Sequence, residues 1–370
     1  MHFARALGPL EMSNLHGGEA RAGAPGWRSR LLSALRSGRA GTREYVWLLA
    51  LLTGVYVLIV AARSPDFLSL ASVLDLIRSG AAWTVVALGV LVVMVSGGID
   101  VSFLANAILS AYVATMLSNV LGIDSLAFAL AIAIGIGGLV GIVNGLIIYL
   151  FSLPTLITTL AMQGVLQGVL MVFLGARPIT ASHMPVALRN FGTDVLFEVP
   201  LGPGFIGLSV FAIPLLIAIL LTWYLLNRTA IGRATYAFGS NPTGAIRCAV
   251  PLLQVNLLVY SYAGALAGLT GLMTVSDIRL VDPVALVGNE LFVLAAVVIG
   301  GAKLTGGTGS VAGVLLGMTL ITLLNNTLVT LGLSASWNRF FIGGALVLIA
   351  SISHYRAKMR NLRQLNFENV

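Results

Sequence analysis

Two carboxylates stand at the borders of long apolar stretches, where titratable side chains are uncommon. Asp100 immediately precedes one such stretch, and Glu290 lies near the start of another. Acidic side chains within a bilayer are costly and mark ion sites, proton relays or solute pathways. However, a carboxylate at the start of a helix is also stabilised by the free backbone N–H groups there, by about 0.3–1 kcal/mol. Capping of helix N-termini is the favoured interpretation of both membrane-border acids, and a functional role is the alternative.

Other polar side chains recur at helical spacing inside the apolar stretches. Ser102, Asn106 and Ser110 are four residues apart, and so are Thr159, Gln163 and Gln167. Residues at this spacing share one face of a helix. They could line a water-filled path for a polyhydroxylated solute, or they could form hydrogen bonds between helices. Both interpretations stay open for the full set of candidate pathway residues, which are Asn106, Ser110, Asn144, Thr159, Gln163, Gln167 and Asn325, with Thr322 and Asn326 beside the last.

A polar, basic segment interrupts the apolar sequence at residues 229–251, within a loop predicted over 227–252. Gly232 and Gly239 predict turns, because glycine adopts backbone conformations that side chains resist. Asn241-Pro242 predicts the start of a short helix over 242–249 that ends before Pro251. Arginine, with its planar donors, suits carboxylates on a partner. The segment therefore predicts a docking surface for a soluble protein that supplies energy, although a plain solvated loop would also be polar. Its candidate residues are Gly232, Arg233, Tyr236, Gly239, Asn241, Pro242, Ala245 and Arg247, with Arg228 at its edge.

The sequence carries no signature of an enzyme, a metal site or a resident cofactor. It contains no P-loop and no HExxH, and all four histidines lie outside the apolar stretches. Residues 307–312 fit a relaxed dinucleotide pattern, but they lead into an apolar helix rather than following a strand. The one cysteine, Cys248, excludes an intrachain disulfide. The basic residues do not form one patch, so nucleic acid is not an expected partner.

The elements that must position these residues are membrane helices. The chain has 370 residues, of which 58% are hydrophobic and 9% charged, and its mean hydropathy is +0.98. About 20 apolar residues cross a bilayer core. We therefore predict an all-α polytopic membrane protein with about ten transmembrane helices. The predicted spans are 45–62, 77–96, 102–121, 125–149, 155–175, 204–226, 253–273, 288–302, 308–331 and 337–353.

The positive-inside rule orients these spans. With the N-terminus inside, 15 of the 21 Lys and Arg residues fall on the cytoplasmic side, including those of segment 229–251. We therefore predict a multi-pass inner-membrane protein with both termini in the cytoplasm. Residues 1–44 form a basic, disordered cytoplasmic tail in this scheme, with Met12 as an alternative start. Residues 45–353 form the transmembrane domain, and 354–370 form a second basic tail.

Two glycine ladders predict close helix packing. Gly137, Gly141 and Gly145 recur every four residues, and so do Gly309, Gly313 and Gly317. Small residues at this spacing let helix backbones approach each other in lipid. The similar pieces VSGGIDVS and VIGGAKLT suggest two loosely related halves, 45–175 and 253–353, although the ladders and these pieces do not share one offset.

Four segments in order resemble the membrane-spanning permease subunit of bacterial ABC importers for simple sugars, of the ribose, xylose and galactose kind. GRATYAFGSNPTGAIRCAV resembles that family's ATPase-contacting loop, GRxxYAxGGNxxAAxxSGI, and SGGIDVS resembles its SGGIDLS. LPTLITTL and NELFVLAAVVIGGAKLTGGTGSVAGVLLG resemble two further family segments. The resemblance covers residues 45 to 353. The residues that match the loop pattern are Gly232, Arg233, Tyr236, Ala237, Gly239, Asn241 and Ala245, whereas Ser240, Gly244, Cys248 and Ala249 depart from it.

This resemblance implies a permease similar to those of type II ABC importers, with no enzymatic activity of its own. It implies two cytoplasmic ATPase subunits that bind ATP and Mg, a periplasmic or lipoprotein solute-binding protein, surrounding membrane lipid, and a second permease in a homodimer or heterodimer. The implied solute is a monosaccharide. Alternatives are an autoinducer-like furanose, a polyol, a branched-chain amino acid or urea, and a less favoured class is an ion-coupled secondary transporter.

Overall fold

The structure is a computed structural model that describes most of the chain. The described residues are 46–47, 49–175, 177–201, 204–286, 288–328, 331–334, 336–341, 343–344, 347 and 351. The predicted tails at 1–44 and 354–370 lie outside this set, and so does much of the tenth predicted span.

Helices account for most of the described chain. They are α1 (Leu49–Arg63), α2 (Leu70–Val95), α3 (Phe103–Leu121), α4 (Leu126–Phe151), α5 (Thr155–Val172), α6 (Val186–Phe191), α7 (Ala212–Arg228), α8 (Ala230–Ser240), α9 (Pro242–Arg247), α10 (Leu252–Ile278), α11 (Glu290–Ile299) and α12 (Val311–Thr327).

Among the described residues, five helices are long and apolar enough to cross a membrane: α2, α3, α4, α5 and α10. The pair α7 and α8 makes a sixth candidate, although it bends by 72°. Helices α1, α11 and α12 are apolar but shorter than 18 residues. The chain is therefore a polytopic helical membrane protein, and the count of about ten spans stays a prediction.

Helices α2, α3 and α10 form the interior of the bundle. Over its most apolar stretch α2 is 72% buried, and α3 and α10 are 67% and 56% buried. The corresponding figure for α4 and α5 is 22%, so these two present most of their surface outward. Helix α10 contacts α2, α3 and α4, while α12 packs against α2 and α11.

Glycines set the spacing between the packed helices. A β-carbon on Gly137 or Gly141 would overlap the backbone carbonyl of Gly264 or Tyr260 on α10. The first glycine ladder therefore serves the close approach that it predicts. In the second ladder, Gly317 packs on Ala296 of α11 in the same way. Gly309 does not belong to the second ladder, because it lies before the first residue of α12 and has a φ of +157°.

Two small antiparallel ribbons correct the all-α prediction. Strands β2 (Val195–Leu201) and β3 (Gly204–Ser209) form a hairpin. Strands β1 (Ile179–Thr180) and β4 (Leu280–Val281) join the chain after α5 to the chain after α10. The predicted span 204–226 is therefore wrong at its start, since residues 204–209 pair as a strand and α7 begins at Ala212. Apolar composition alone does not distinguish a strand from the first turns of a helix.

Candidate functional site

The polar segment 229–251 folds as two helices, α8 and α9, rather than as a loop. Helix α8 leaves α7 at Thr229, where the axis bends by 72°. The Thr229 side chain caps α8 by accepting a hydrogen bond from the backbone N–H of Gly232 (2.9 Å). The prediction of turns at Gly232 and Gly239 is wrong, because both glycines are helical residues of α8.

The two glycines of α8 are sites of close backbone approach. A β-carbon on Gly232 would overlap the carbonyl oxygen of Leu225, and one on Gly239 would overlap that of Val95. Both are buried, as is Thr235 between them. The spacing of three and four residues within 232, 235 and 239 marks one face of a helix, so this pattern is the sequence signal for a packed helix at this place.

The C-terminal end of α8 meets two other segments at a junction of glycines, here called the glycine junction: Gly97, Gly239, Gly306 and Gly307. A β-carbon on Gly306 would lie 2.5 Å from the Cα of Gly97 and 3.0 Å from that of Gly239. The N–H of Gly307 donates to the carbonyl of Val95 at the end of α2 (2.9 Å). Backbone contacts of this kind pack the three segments closely, with little space for one to move without the others. A displacement of α8 would therefore reach the end of α2 and the loop before α12.

Tyr236 adds a side-chain link at the same place. Its hydroxyl donates to the carbonyl oxygen of Gly309 (2.8 Å), two residues before α12. Ser240 donates to the carbonyl of Tyr236 (2.7 Å) and lies against Gly307. Tyr236 and Gly239 are therefore inward-facing residues that hold α8 against the bundle, whereas the exposed surface of the segment lies elsewhere.

Helix α9 begins where the sequence predicts it. The side chain of Asn241 accepts a hydrogen bond from the N–H of Gly244 (2.9 Å), and Pro242 occupies the first turn. Ala245 is buried and anchors the helix, which ends at Arg247 rather than at residue 249. The exposed side of α9 carries Pro242, Ile246 and Arg247.

Exposed cations flank this surface. The guanidinium of Arg228 lies 5.3 Å from the ring centroid of Trp223, and Arg233 donates to the carbonyl of Arg228 at 3.5 Å. Arg233 and Arg247 are exposed, and within the described ranges neither forms an ion pair with an acid. Their charges therefore remain available to carboxylates on another protein.

A second cluster, here called the polar seam, ties α3 to α4 around Asp100. One carboxylate oxygen of Asp100 accepts hydrogen bonds from the N–H of Ser102 (2.8 Å) and from its hydroxyl (2.7 Å). The amide of Asn144 on α4 donates to the Ser102 hydroxyl (2.9 Å). Asp100 and Asn144 are both buried. Asp100 thus bonds to the residue at the start of α3 and orients a hydroxyl toward α4.

The seam continues along α3. The amide of Asn106 donates to the carbonyl of Gly137 (3.1 Å), a bond that the close approach of α4 makes accessible. Ser110 donates to the Asn106 side chain (3.2 Å). All of these groups are buried; Asn106 bonds between helices, whereas Ser110 bonds within α3. A role of Asn106, Ser110 and Asn144 in a solute path stays a prediction.

Helix α5 is tied to the same region by two threonines. Thr155 accepts from the N–H of Ile99 (3.0 Å), and Thr159 accepts from the N–H of Val101 (3.2 Å) while donating to the carbonyl of Ile99 (3.2 Å). These bonds satisfy the backbone of an irregular stretch within a membrane-embedded bundle, as such a stretch requires. Thr155 is a structural residue that the spacing of Thr159, Gln163 and Gln167 does not identify.

Glu290 joins α5 to α11. Its two carboxylate oxygens accept from the amide of Gln163 (2.9 Å) and from the N–H of Gly288 (2.9 Å). It is the first residue of α11, but the N-cap is Asn289 and Glu290 bonds to Gly288 ahead of the helix, so it does not cap α11 as the favoured interpretation predicts. Asp100 and Glu290 belong to separate clusters, and in the described chain no three His, Cys, Asp or Glu side chains come together as metal ligands.

The remaining pathway candidates lie toward the surface. Gln167 is half-buried on α5, and Asn325 is exposed on α12. Asn326 beside it donates to the hydroxyl of Ser79 on α2 (2.9 Å). The structure therefore does not bring the candidates onto one continuous surface of this single chain.

Sequence comparison relates the chain to known transport proteins. Residues 72–350 match a family described as the permease component of the branched-chain amino acid transport system. The chain is 37% identical to the ribose import permease protein RbsC of Bacillus subtilis over 80% of this chain and 88% of that protein. It is 31% identical to RbsC of Escherichia coli K12, over 84% and 94%. It is also 31% identical to the autoinducer 2 import system permease protein LsrC of Yersinia pestis, over 91% of each. No solved structure matches the chain significantly.

Proposed function

Because this chain belongs to the family of permease components of branched-chain amino acid transport systems, we propose that it is the transmembrane subunit of an ATP-driven importer. The proposed solute is a monosaccharide. The observation that carries this choice is the 37% identity to a ribose import permease along 88% of that protein's length. A furanose-like signalling molecule is the second candidate, supported by the match to an autoinducer 2 permease over 91% of the chain.

In this proposal, ATP hydrolysis takes place in a separate ATPase pair that docks on α8 and α9 from the cytoplasm. The exposed Arg233 and Arg247 supply charge for acidic side chains of the ATPase, and exposed Ile246 supplies an apolar contact. Gly232, Tyr236, Gly239 and Ala245 hold the two helices against the bundle.

The glycine junction then carries the motion of the ATPase into the membrane. When ATP binding closes the ATPase pair, the pull on α8 reaches Val95 and Gly97 at the end of α2 through backbone contacts at Gly239 and Gly307. The same stretch continues into Asp100 and the polar seam. The permease turns from inward-facing to outward-facing and receives solute from an external binding protein.

A second permease, identical or a sister chain, completes the pathway in this proposal. The outward face of α5 supports it: Gly164 and Gly168 are four residues apart, and a β-carbon on either would meet no atom within 4 Å. Small residues at this spacing allow another helix to approach closely. Half-buried Gln167 would then face a path between subunits rather than lipid.

Uptake measurements in intact cells test the solute. We expect cells that lack this chain to lose ATP-dependent uptake of one labelled monosaccharide, among D-ribose, D-xylose and D-galactose, and to regain it with the wild-type chain. Uptake of labelled autoinducer 2 is measured in the same cells. Unchanged uptake of every monosaccharide with lost uptake of autoinducer 2 would select the second candidate, and unchanged uptake of all would refute both.

Affinity purification from native membranes tests the dock. We expect an ATP-binding protein to co-purify with the wild-type chain and to be lost when Arg233→Glu and Arg247→Glu are combined, because both charges reverse. The matched control is Arg63→Glu with Arg279→Glu, two exposed arginines outside α8 and α9. Retention of the ATPase by the Arg233 and Arg247 double variant, or equal loss in the control double variant, would contradict docking on α8 and α9.

A further inference from the structure

A cavity of about 520 Å³ lies beside the glycine junction and is not part of the polar seam. Its walls come from the stretch after α2 (Ser96 to Gly98), the connection between α4 and α5, the ends of α8 and α9, and one side of α10. Binding sites for small molecules commonly measure about 300–1,000 Å³. The cavity therefore has room for a solute of the size of a sugar.

A buried tyrosine hydroxyl lies at the inner wall of this cavity. Tyr260 on α10 is 1% exposed, its hydroxyl forms no hydrogen bond of standard geometry with a described residue, and the side chain of Thr155 is only a weak partner. It points at Gly98, where a β-carbon would lie only 2.5 Å from the hydroxyl oxygen. Buried polar groups normally have a partner, and an exception calls for an explanation such as a ligand. The absence of a side chain at Gly98 preserves the space around this hydroxyl.

The rest of the lining is neutral, polar and aromatic. The amide of Asn256 and the side chains of Ser240 and Thr305 supply further hydrogen-bonding groups, while Tyr149 and Phe238 supply rings. Of the described residues that line the cavity, none is charged at neutral pH. Burial of an ionic ligand without a countercharge would be costly, whereas the hydroxyl groups of a neutral ligand can each form a hydrogen bond with a polar side chain of the lining. This lining fits a neutral polyhydroxylated molecule.

We propose that this cavity binds the imported monosaccharide on the cytoplasmic side and that its occupancy slows further import. This inference rests on the proposed function, since it assigns to the same solute a second, regulatory site. The walls of the cavity include both Gly97–Gly98 and Gly239–Ser240, which are the two sides of the glycine junction. A sugar that contacts both sides from the cavity holds α8 against the end of α2 in one arrangement and hinders the motion that drives transport.

The only cysteine of the chain provides a reporter for binding. Cys248 is exposed and lies two residues from Ile246, which lines the cavity. A maleimide fluorophore on Cys248 of the full chain in lipid nanodiscs is titrated with D-ribose, D-xylose and D-galactose. We expect a saturable fluorescence change with at least one of them. Ribose 5-phosphate should give none at the same concentrations, because its charge finds no partner in the lining.

Two tyrosine variants locate the response. Tyr260→Phe removes only the hydroxyl and should weaken the apparent affinity by about tenfold, as expected when a buried ligand hydrogen bond is lost. Tyr262→Phe is the matched control on the same helix, because its hydroxyl bonds to Thr222 instead (2.7 Å). It should leave the sugar affinity unchanged. Equal weakening in both variants, or no response to any of the three sugars, would overturn the site.

Transport by the complete complex in proteoliposomes tests the regulatory role. Unlabelled sugar in the compartment that faces the ATPase should lower the initial rate of import, and Tyr260→Phe should relieve this inhibition without lowering import in its absence. An initial rate of import that does not change with the sugar in that compartment would overturn the regulatory proposal while leaving the proposed function intact. Absence of any monosaccharide import would instead refute the proposed function, and the binding titration would still decide whether the cavity takes sugars.

Discussion

At the scale of single residues, Asp100 shows how one side chain can serve two elements. Its carboxylate accepts both hydrogen bonds that Ser102 can donate, and the oriented Ser102 hydroxyl in turn accepts from Asn144. A hydrogen bond to a charged group contributes about 1.5–3 kcal/mol, roughly twice the contribution of a neutral one. The carboxylate therefore stabilises the start of α3 and its attachment to α4 together.

Replacements at Asp100 separate this structural role from a role of its charge. Asp100→Asn keeps an acceptor oxygen and should lose less stability than Asp100→Leu, which leaves both Ser102 donors without an acceptor and should lose about 1–3 kcal/mol. Thermal unfolding of the purified protein measures both. If Asp100→Asn stays stable but loses import, the charge itself is functional; equal stability of the two variants would contradict the hydrogen-bonding role.

At the scale of elements, glycines allow the backbones of paired helices to contact each other directly. Gly137 and Gly141 admit α10 against α4, and Gly317 admits α11 against α12. In lipid this close packing replaces the hydrophobic driving force, because the lipid tails are as apolar as the side chains. The atoms that an added β-carbon would meet therefore decide how much stability a glycine substitution loses.

Two alanine substitutions on α4 test this argument. Gly141→Ala forces a methyl group onto the Tyr260 carbonyl and should cost about 1–3 kcal/mol, the usual range for overpacking. Gly135→Ala on the same helix meets no atom within 4 Å and should cost nothing. Thermal unfolding in the same detergent compares them. A loss of stability at Gly135, or none at Gly141, would contradict the packing of α4 on α10.

The glycine junction makes a different prediction, because it concerns motion as well as stability. Gly239→Ala would press α8 away from Val95 and Gly307 and should lower import by about tenfold, which corresponds to about 1.4 kcal/mol on the rate. The ATPase should still co-purify, since the exposed residues of α9 are unchanged. Ala237→Ser adds one atom at an exposed position of the same helix and should import normally. Normal import by Gly239→Ala would argue against transmission through the junction.

At the scale of the whole molecule, the chain divides into a membrane bundle and two polar ends. One end carries α8 and α9 with their exposed arginines. The other carries α6, the hairpin of β2 and β3, and the ion pair between Arg78 and Asp277 (3.0 Å). We predict opposite sides of the membrane for these two ends, because a crossing by α7 would separate the hairpin from α8.

Reporter fusions check this arrangement. A reporter fused after Asn241 should be active as a cytoplasmic protein, and one fused after Leu201 in the hairpin should be active as an external protein. Alkaline phosphatase and green fluorescent protein give opposite readouts at each position. An external signal after Asn241 would refute both the topology and the docking surface.

The sequence by itself determined the class of protein, the family, the helical core and several local features. Continuous apolar stretches predict α2 to α5 and α10 because a bilayer imposes their length, and Asn241 predicts the start of α9 because capping is a contact within one turn. The tertiary structure decided the rest. Gly239 resembles a turn residue until Val95 and Gly307 are seen against it, and residues 204–209 resemble a helix until strand β2 pairs with them. The partners of Thr155 and Gln163 lie on other elements, so only the fold could show which groups these two side chains bond to.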